Sequence, residues 1–301
     1  MLDQYLEELK EELNKREADD REGFLQYIEE IISDRMENGE SEEEILSSLG
    51  PAEKFIDGIY EKKEQMEENV RSRETKTISL DHISDINIDV ETFDIRIRSC
   101  EEEKGRLEYD SVNEMGLNIV VDEDELSIEQ DNSASSFSGL FGRLFRNDSV
   151  SFEGTITIYL PKQQKTDLEL HNLSGDVEIF DLNFNDVEIE TVSGDVSLRN
   201  VRADEIELKT VSGDIRMEEV SAEEEVQIET VSGNVDGHFV HGEEIDVNTV
   251  SGDIHLMVDG NREDYSIEEN RVNHHSSYNG KGSRELRINT VSGNIRYHFS
   301  K

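Results

Sequence analysis

Six copies of one tetrapeptide govern what this chain can fold into. LSGD begins at Leu173, VSGD at Val192 and Val211, VSGN at Val231, VSGD at Val250 and VSGN at Val291. The steps are 19, 19, 20, 19 and 41 residues. The last step is close to two periods, and DYSIEEN, from Asp264 to Asn270, reads as a degenerate copy filling the gap. So regular a recurrence marks stacked units, none of which can bury its apolar face alone.

The unit DVEIETVSGDVSLRNVRAD shows what the spacing dictates. Val187, Ile189 and Thr191 alternate with Asp186, Glu188 and Glu190; the phase then changes, and Val192, Gly194, Val196 and Leu198 fall on one face. Alternation of period two means strands with one wet face, and the change at Thr191–Val192 requires a corner or bulge. Gly194 serves that corner either by taking a positive φ or because no side chain fits inside the bend. A second bend falls near Asn200 to Asp204, with Val201 and Ala203 turned inward. Stacked at about 4.8 Å per rung, such units align Ile189 with Leu208, Ile228 and Val247. They also form a row of Thr191, Thr210, Thr230 and Thr249, whose hydroxyls would bond along the axis. Outside, Glu188 meets Glu207 with like charge, while Glu190, Lys209 and Glu229 alternate in sign. An antiparallel sandwich would not demand the same tetrapeptide at nearly constant steps.

The predicted fold is therefore mainly β: a parallel β-solenoid over residues 77–301, preceded by a small α-helical bundle. Looser alternation from SDINIDVETFDIRIRS onward places the first, irregular rungs near Thr77. At the far end nothing follows NTVSGNIRYHFSK to cover the last rung. Either Tyr297 and Phe299 plug it or copies dimerise end to end.

Residues 1–73 carry helical periodicity and form an acidic domain of about four helices. Leu2, Leu6, Leu9 and Leu13 make one apolar face, and Phe24, Ile28, Ile31 and Ile32 another. Ser41 and Glu44 form a capping box for a helix carrying Ile45, Leu46 and Leu49. Gly50 supplies its C-cap, and Pro51 opens the next helix, through Phe55, Ile56, Ile59 and Tyr60.

Charge narrows the function. With 30 basic against 73 acidic residues, the net charge is -43. That excludes nucleic-acid binding through the bulk surface and opposes adsorption to anionic lipid, while leaving room for weak divalent-cation binding. The first fifteen residues lack the character of a signal peptide, and no apolar run is long enough for a transmembrane segment. The expected location is cytoplasmic, with peripheral contact at the inner face of the membrane open to it. One cysteine, Cys100, excludes an intramolecular disulfide and reads as a partly exposed, inert thiol. His238 with His241, and His274 with His275, are too few and too loosely placed for tetrahedral zinc. The SGD aspartates read as corner residues accepting backbone amides, a task that Asn234 and Asn294 can also perform but that a catalytic acid cannot share with asparagine. No catalytic residue, metal or cofactor is assigned.

GLFGRLFRN, residues 139–147, is a basic and apolar stretch in an acidic chain. It sits in a hydrophobic loop, 131–152, expected to protrude between two strands. Phe137, Leu140, Phe141, Leu144 and Phe145 follow one helical stripe, with Arg143 and Arg146 at its edges. Three destinations are open: a cap over the first rungs, a protein partner or second subunit, or a lipid headgroup boundary.

The serial tetrapeptides resemble the bacterial putative-adhesin family of β-solenoid proteins. Matching positions are Gly175-Asp176, Gly194-Asp195, Gly213-Asp214, Gly233-Asn234, Gly252-Asp253 and Gly293-Asn294, each preceded by serine. ENGESEEEILSSLGPAEKFIDGIY resembles the N-terminal helical module of Gram-positive envelope-associated proteins. The resemblances imply a noncatalytic scaffold or protein-interaction module linked to cell-envelope stress, acting through a protein partner or self-association. The rival class is a polysaccharide-binding or polysaccharide-cleaving β-helix protein.

Overall fold

The computed structural model describes residues 2–15, 40–61, 74–110, 116–130, 154–272 and 274–301, with isolated positions between 25 and 36. The chain divides into a helical unit, through Glu74, and a β unit from Thr75.

In the helical unit, α1 (Leu2–Lys15) buries Tyr5, Leu9 and Leu13 and half-buries Leu2 and Leu6, one stripe of the helix. Helix α2 (Glu42–Leu49) begins with the Ser41–Glu44 capping box, buries Ile45, and ends where Gly50 turns to φ 73°. Pro51 stands immediately before helical residues 52–61, its carbonyl accepting the Phe55 amide at 3.0 Å. Ile56 and Ile59 form the buried side of that helix, and Ile28 and Ile32 are also buried. Phe24 and Ile31 lie outside the described residues.

The β unit opens with β1 (Thr75–Leu80), β2 (Asp85–Val90), β3 (Phe93–Cys100), β4 (Gly105–Asp110), β5 (Leu117–Asp122), β6 (Glu125–Gln130) and β7 (Gly154–Pro161). The repeats supply β8 (Asp167–Asn172), β9 (Val177–Phe180), β10 (Asp186–Thr191), β11 (Val196–Arg199), β12 (Arg202–Thr210), β13 (Ile215–Glu218) and β14 (Ser221–Thr230). The last third holds β15 (Val235–Val240), β16 (Glu244–Thr249), β17 (Ile254–Val258), β18 (Tyr265–Arg271), β19 (His274–Tyr278), β20 (Arg284–Thr290) and β21 (Ile295–Phe299).

From β8 to β17 successive strands alternate between two sheets. One is ordered β1-β4-β7-β3-β9-β11-β13-β15-β17-β21, the other β19-β18-β20-β16-β14-β12-β10-β8-β2-β6-β5. Each repeat thus gives one strand to each sheet, and the signature marks the corner between them. Pairing between repeats is parallel and in the expected register: Ile189 lies beside Leu208, Leu208 beside Ile228, and Ile228 beside Val247. All four are fully buried. At about 1.5–3 kcal/mol for each fully buried aliphatic side chain, such columns dominate the stability. Val201 and Ala203 are buried at the second bend, as the alternation requires.

Three expectations need correction. The unit is not parallel throughout, because both sheets are mixed: β1, β4 and β7 pair antiparallel, as do β5 with β6 and β18 with β19. Reversed strands, β1, β5 and β19, form three of the four sheet edges, and at the fourth β21 pairs parallel with β17. Next, DYSIEEN does not fill a missing rung. Strand β20 pairs directly with β16, so the 41-residue step is a single rung, and β18 lies parallel on the outer side of β20. Finally, this insertion, which precedes the last strand in the chain, packs against it at two points. Tyr265 is buried with its ring 5.5 Å from that of Phe299, and Arg271 Nη2 donates to the Ile295 carbonyl at 3.0 Å.

Candidate functional site

The signature corner is built from three hydrogen bonds per rung. Buried Thr210 Oγ1 accepts the Gly213 amide at 3.0 Å, and Thr191, Thr230, Thr249 and Thr290 do the same for the glycine three residues on. At the first corner Asn172 takes this place, its Oδ1 accepting from Gly175. The threonine row therefore closes its own corners and does not use those bonds along the axis. Serine makes the axial link: Ser212 Oγ donates to the Val192 carbonyl one rung back, at 3.1 Å, and Ser193, Ser232, Ser251 and Ser292 repeat it. The acids complete the set. Asp176 Oδ1 accepts the Asp195 amide, Asp195 the Asp214 amide, Asp214 that of Asn234, Asn234 that of Asp253, and Asp253 that of Asn294. A chain of acceptors in which aspartate and asparagine alternate freely is a structural ladder.

Of the two reasons open for glycine here, close approach is the correct one. Gly194 has no positive φ, and a Cβ on it would overlap the carbonyl oxygen of Gly175; Gly213, Gly233, Gly252 and Gly293 each meet the preceding glycine carbonyl likewise. Positive φ belongs instead to the second corner, at Asp181, Asn200, Glu219 and Phe239.

This geometry turns the residue before each serine outward. Leu173, Val192, Val211, Val231, Val250 and Val291 are 44–53% exposed, so Val192 does not join the buried face of Val196 and Leu198. The phase changes one residue later than the alternation implies, because Thr191 is held inside by its bond to Gly194. The six aliphatic side chains form one wall of a groove of about 1000 Å³. His171, Glu190, Lys209, Glu229, Asn248 and Asn289 form the other. Sequence reasoning missed this site. The available signal was that Thr191 and Val192 are consecutive at the end of an alternating run, so only one of them can face inward.

Beside the groove the outer surface of the second sheet is acidic. Glu125, Asp85 and Asp167 stand in register, as do Asp186, Glu205, Glu225, Glu244 and Glu285; the two runs join where the Asp186 amide meets Asp167 Oδ1 at 3.3 Å. Burial, reinforced by Glu125 and Asp167, raises the Asp85 pKa; burial with Glu244 and Glu205 raises that of Glu225. Asp246 is also raised by burial, and its Oδ1 is buried without a hydrogen bond among the described residues. Lys209 offsets part of the repulsion, reaching Glu207 at 2.6 Å, Glu190 at 3.0 Å and Glu188 at 3.6 Å. Arg287 does so for Glu244 and Glu285.

The loop residues Phe137, Leu140, Phe141, Arg143, Leu144, Phe145 and Arg146 lie outside the described residues. Cys100 is buried rather than partly exposed, and burial pushes its thiol pKa up. His238 and His241 lie on neighbouring parts of the second corner, and His275 meets Asn270 Oδ1 at 2.5 Å. Among the described residues no group of three or more His, Cys, Asp or Glu is placed to hold a metal, and no helix is long and apolar enough to cross a membrane.

Repeated strands, corners consumed by structural hydrogen bonds and a long lateral groove define a β-rich repeat protein. The chain belongs to the Toastrack DUF4097 family, whose model matches residues 83–301. A second family model, HAAS, matches residues 4–57. No curated protein matches the chain. Among solved structures it is similar to a putative adhesin from Bacteroides fragilis, at 16% identity and TM-score 0.41, covering 75% of this chain and 97% of the other. A putative adhesin from Parabacteroides merdae gives 14% identity, TM-score 0.41 and coverages of 76% and 96%. A putative lipid binding protein from Parabacteroides distasonis gives 14% identity, TM-score 0.34 and coverages of 76% and 96%.

Proposed function

We propose that the stacked β unit is a noncatalytic solenoid scaffold whose corner groove receives a segment of a partner protein. One observation carries this reading: six outward aliphatic residues, one per repeat, form a continuous apolar wall that the core does not use. An apolar recess beside a polar wall is the ordinary form of a recognition site, with the apolar part giving affinity and the polar part orientation. The acidic columns alongside favour a partner segment that carries lysine or arginine next to its apolar residues.

The same charge sets the remaining parts of the proposal. A surface this acidic keeps the protein off anionic lipid except through a bound partner, consistent with a cytoplasmic protein at the inner face of the membrane. Weak divalent-cation association with the carboxylate columns belongs to the same proposal, and so does a link to envelope stress, which rests on the family resemblance.

The test uses the full chain with a photo-crosslinking residue replacing Glu229 on the groove's polar wall, against membrane-associated proteins. A discrete partner should crosslink, and its affinity should fall at least tenfold in the triple variant V192S/V211S/V231S, by the loss of three apolar contacts. These side chains are exposed, so the variant should melt within a few degrees of the wild type. Equal capture by both proteins, or release of reducing ends from an acidic polysaccharide by the wild type, would contradict the reading.

A further inference from the structure

The second corner repeats a left-handed backbone position once per rung. Asp181 (φ 59°), Asn200 (φ 48°) and Glu219 (φ 56°) occupy it with polar side chains, and the next rung occupies it with Phe239 (φ 58°). Asparagine and aspartate tolerate this region, whereas a bulky aromatic residue there is an outlier. Phe239 is also 45% exposed, so its ring is not held in place by core burial. The register between β15 and β17 slips between His238 and Val240, leaving Phe239 outside the ladder. Strain and exposure together at one aromatic residue mark a position kept for something other than folding.

The ring borders a recess of about 470 Å³ that also contains Arg202, Glu219, Ser221, His241 and Asp259. The side chains of Arg202, Glu219, Ser221 and His241 make no hydrogen bond or ion pair with any described residue. Asp259 Oδ1 accepts from Ser300 Oγ at 2.7 Å. The recess therefore offers donors on Arg202, acceptors on Glu219 and Asp259, and groups of both kinds on Ser221 and His241. Two carboxylates disfavour an anion, and Arg202 disfavours a simple cation.

We propose that this recess binds a neutral pyranose unit of a polysaccharide. The C–H face of the sugar stacks on Phe239, and its hydroxyls, each both donor and acceptor, exchange hydrogen bonds with the unpaired side chains around it. The site is separate from the groove and does not depend on it.

Phe239→Asn tests the proposal, because asparagine suits the left-handed position and already stands in it at Asn200. Calorimetry and saturation-transfer NMR on the full chain would use cellotetraose, maltotetraose and chitotetraose as neutral probes, with tetragalacturonate as the charged control. At least one neutral probe should bind saturably, at least tenfold more weakly to Phe239→Asn and to Arg202→Met. Phe239→Asn should also melt higher than the wild type. Absence of binding to every neutral probe, binding of the galacturonate alone, or equal neutral-probe binding by Phe239→Asn overturns the site. A lower melting temperature for Phe239→Asn overturns it too, since the ring would then be part of the packing.

Discussion

A methyl group at Gly213 would sit where the Gly194 carbonyl oxygen already is, and the same holds at each glycine of the column. The neighbour is backbone within a hydrogen-bonded rung and cannot swing aside. Gly213→Ala should therefore cost about 2–4 kcal/mol, at or above the upper end for overpacking, read as a lowered urea midpoint. Gly58→Ala is the control: Gly58 is helical, has no positive φ and has nothing within 4 Å, so the change should be neutral or stabilise by up to about 1 kcal/mol. Equal losses at the two sites would mean that the corner is not packed as described. The need for glycine was legible in the recurring tetrapeptide; its reason was not. Steric exclusion by the rung beneath depends on a neighbour 19 residues away, and a single unit read alone cannot separate that from a requirement for positive φ.

Strands carry a second signature, in their outer columns. Carboxylates at Asp85, Glu225 and Asp246 have pKa values raised chiefly by burial, so their folded-state values lie above the unfolded ones. Such groups bind protons more tightly in the folded protein, and protonation relieves a destabilisation present at neutral pH. Asp195 and Asp253 behave in the opposite way. Partial burial of Asp195 is outweighed by Arg216 and the Asp214 amide, and Asn294 holds the Asp253 carboxyl down. Their stabilisation is present above the unfolded carboxylate pKa and is lost as pH falls through their lower folded values. The melting temperature should accordingly rise as pH is lowered from 7 toward about 5, then fall below about 4. Added salt should flatten only the part of the rise that comes from like charges in the columns, because burial is not screened. A melting temperature that only declines from pH 7 downward would show that burial and neighbouring acids do not hold these carboxylates above their unfolded pKa values. Alternation along single strands predicted which residues face out, and even the Glu188–Glu207 pairing. Alternation placed Thr191 inside correctly; the outward turn of Val192 escaped because hydrophobicity argues for burying it, whereas the Thr191 bond to Gly194 makes the corner there.

Across the whole β unit, periodicity made the stack of repeats readable and left its ends unread. Antiparallel closure by β5 and β19 involves strands without the tetrapeptide, so no repeat count could reveal it. The 41-residue step misled for the same reason: a sequence spacing of two periods resembles two rungs, but β20 reaches β16 directly and the insertion packs beyond it. Helices α1 and α2 follow the apolar stripe and the capping box read from the sequence, while the groove emerged only once six outward residues were stacked. All of this stands on one claim, that each signature lies one rung, about 4.8 Å, beyond the last. Spin labels in a Cys100→Ser background, one fixed at Leu173 and the other placed in turn at Val231, Val250 and Val291, measure it directly by pulsed electron resonance. The account predicts narrow distance distributions that lengthen by about 5 Å at each step, including the step from Val250 to Val291, where 41 residues of chain separate the labels. Broad distributions, or a last step twice as long as the others, would contradict it.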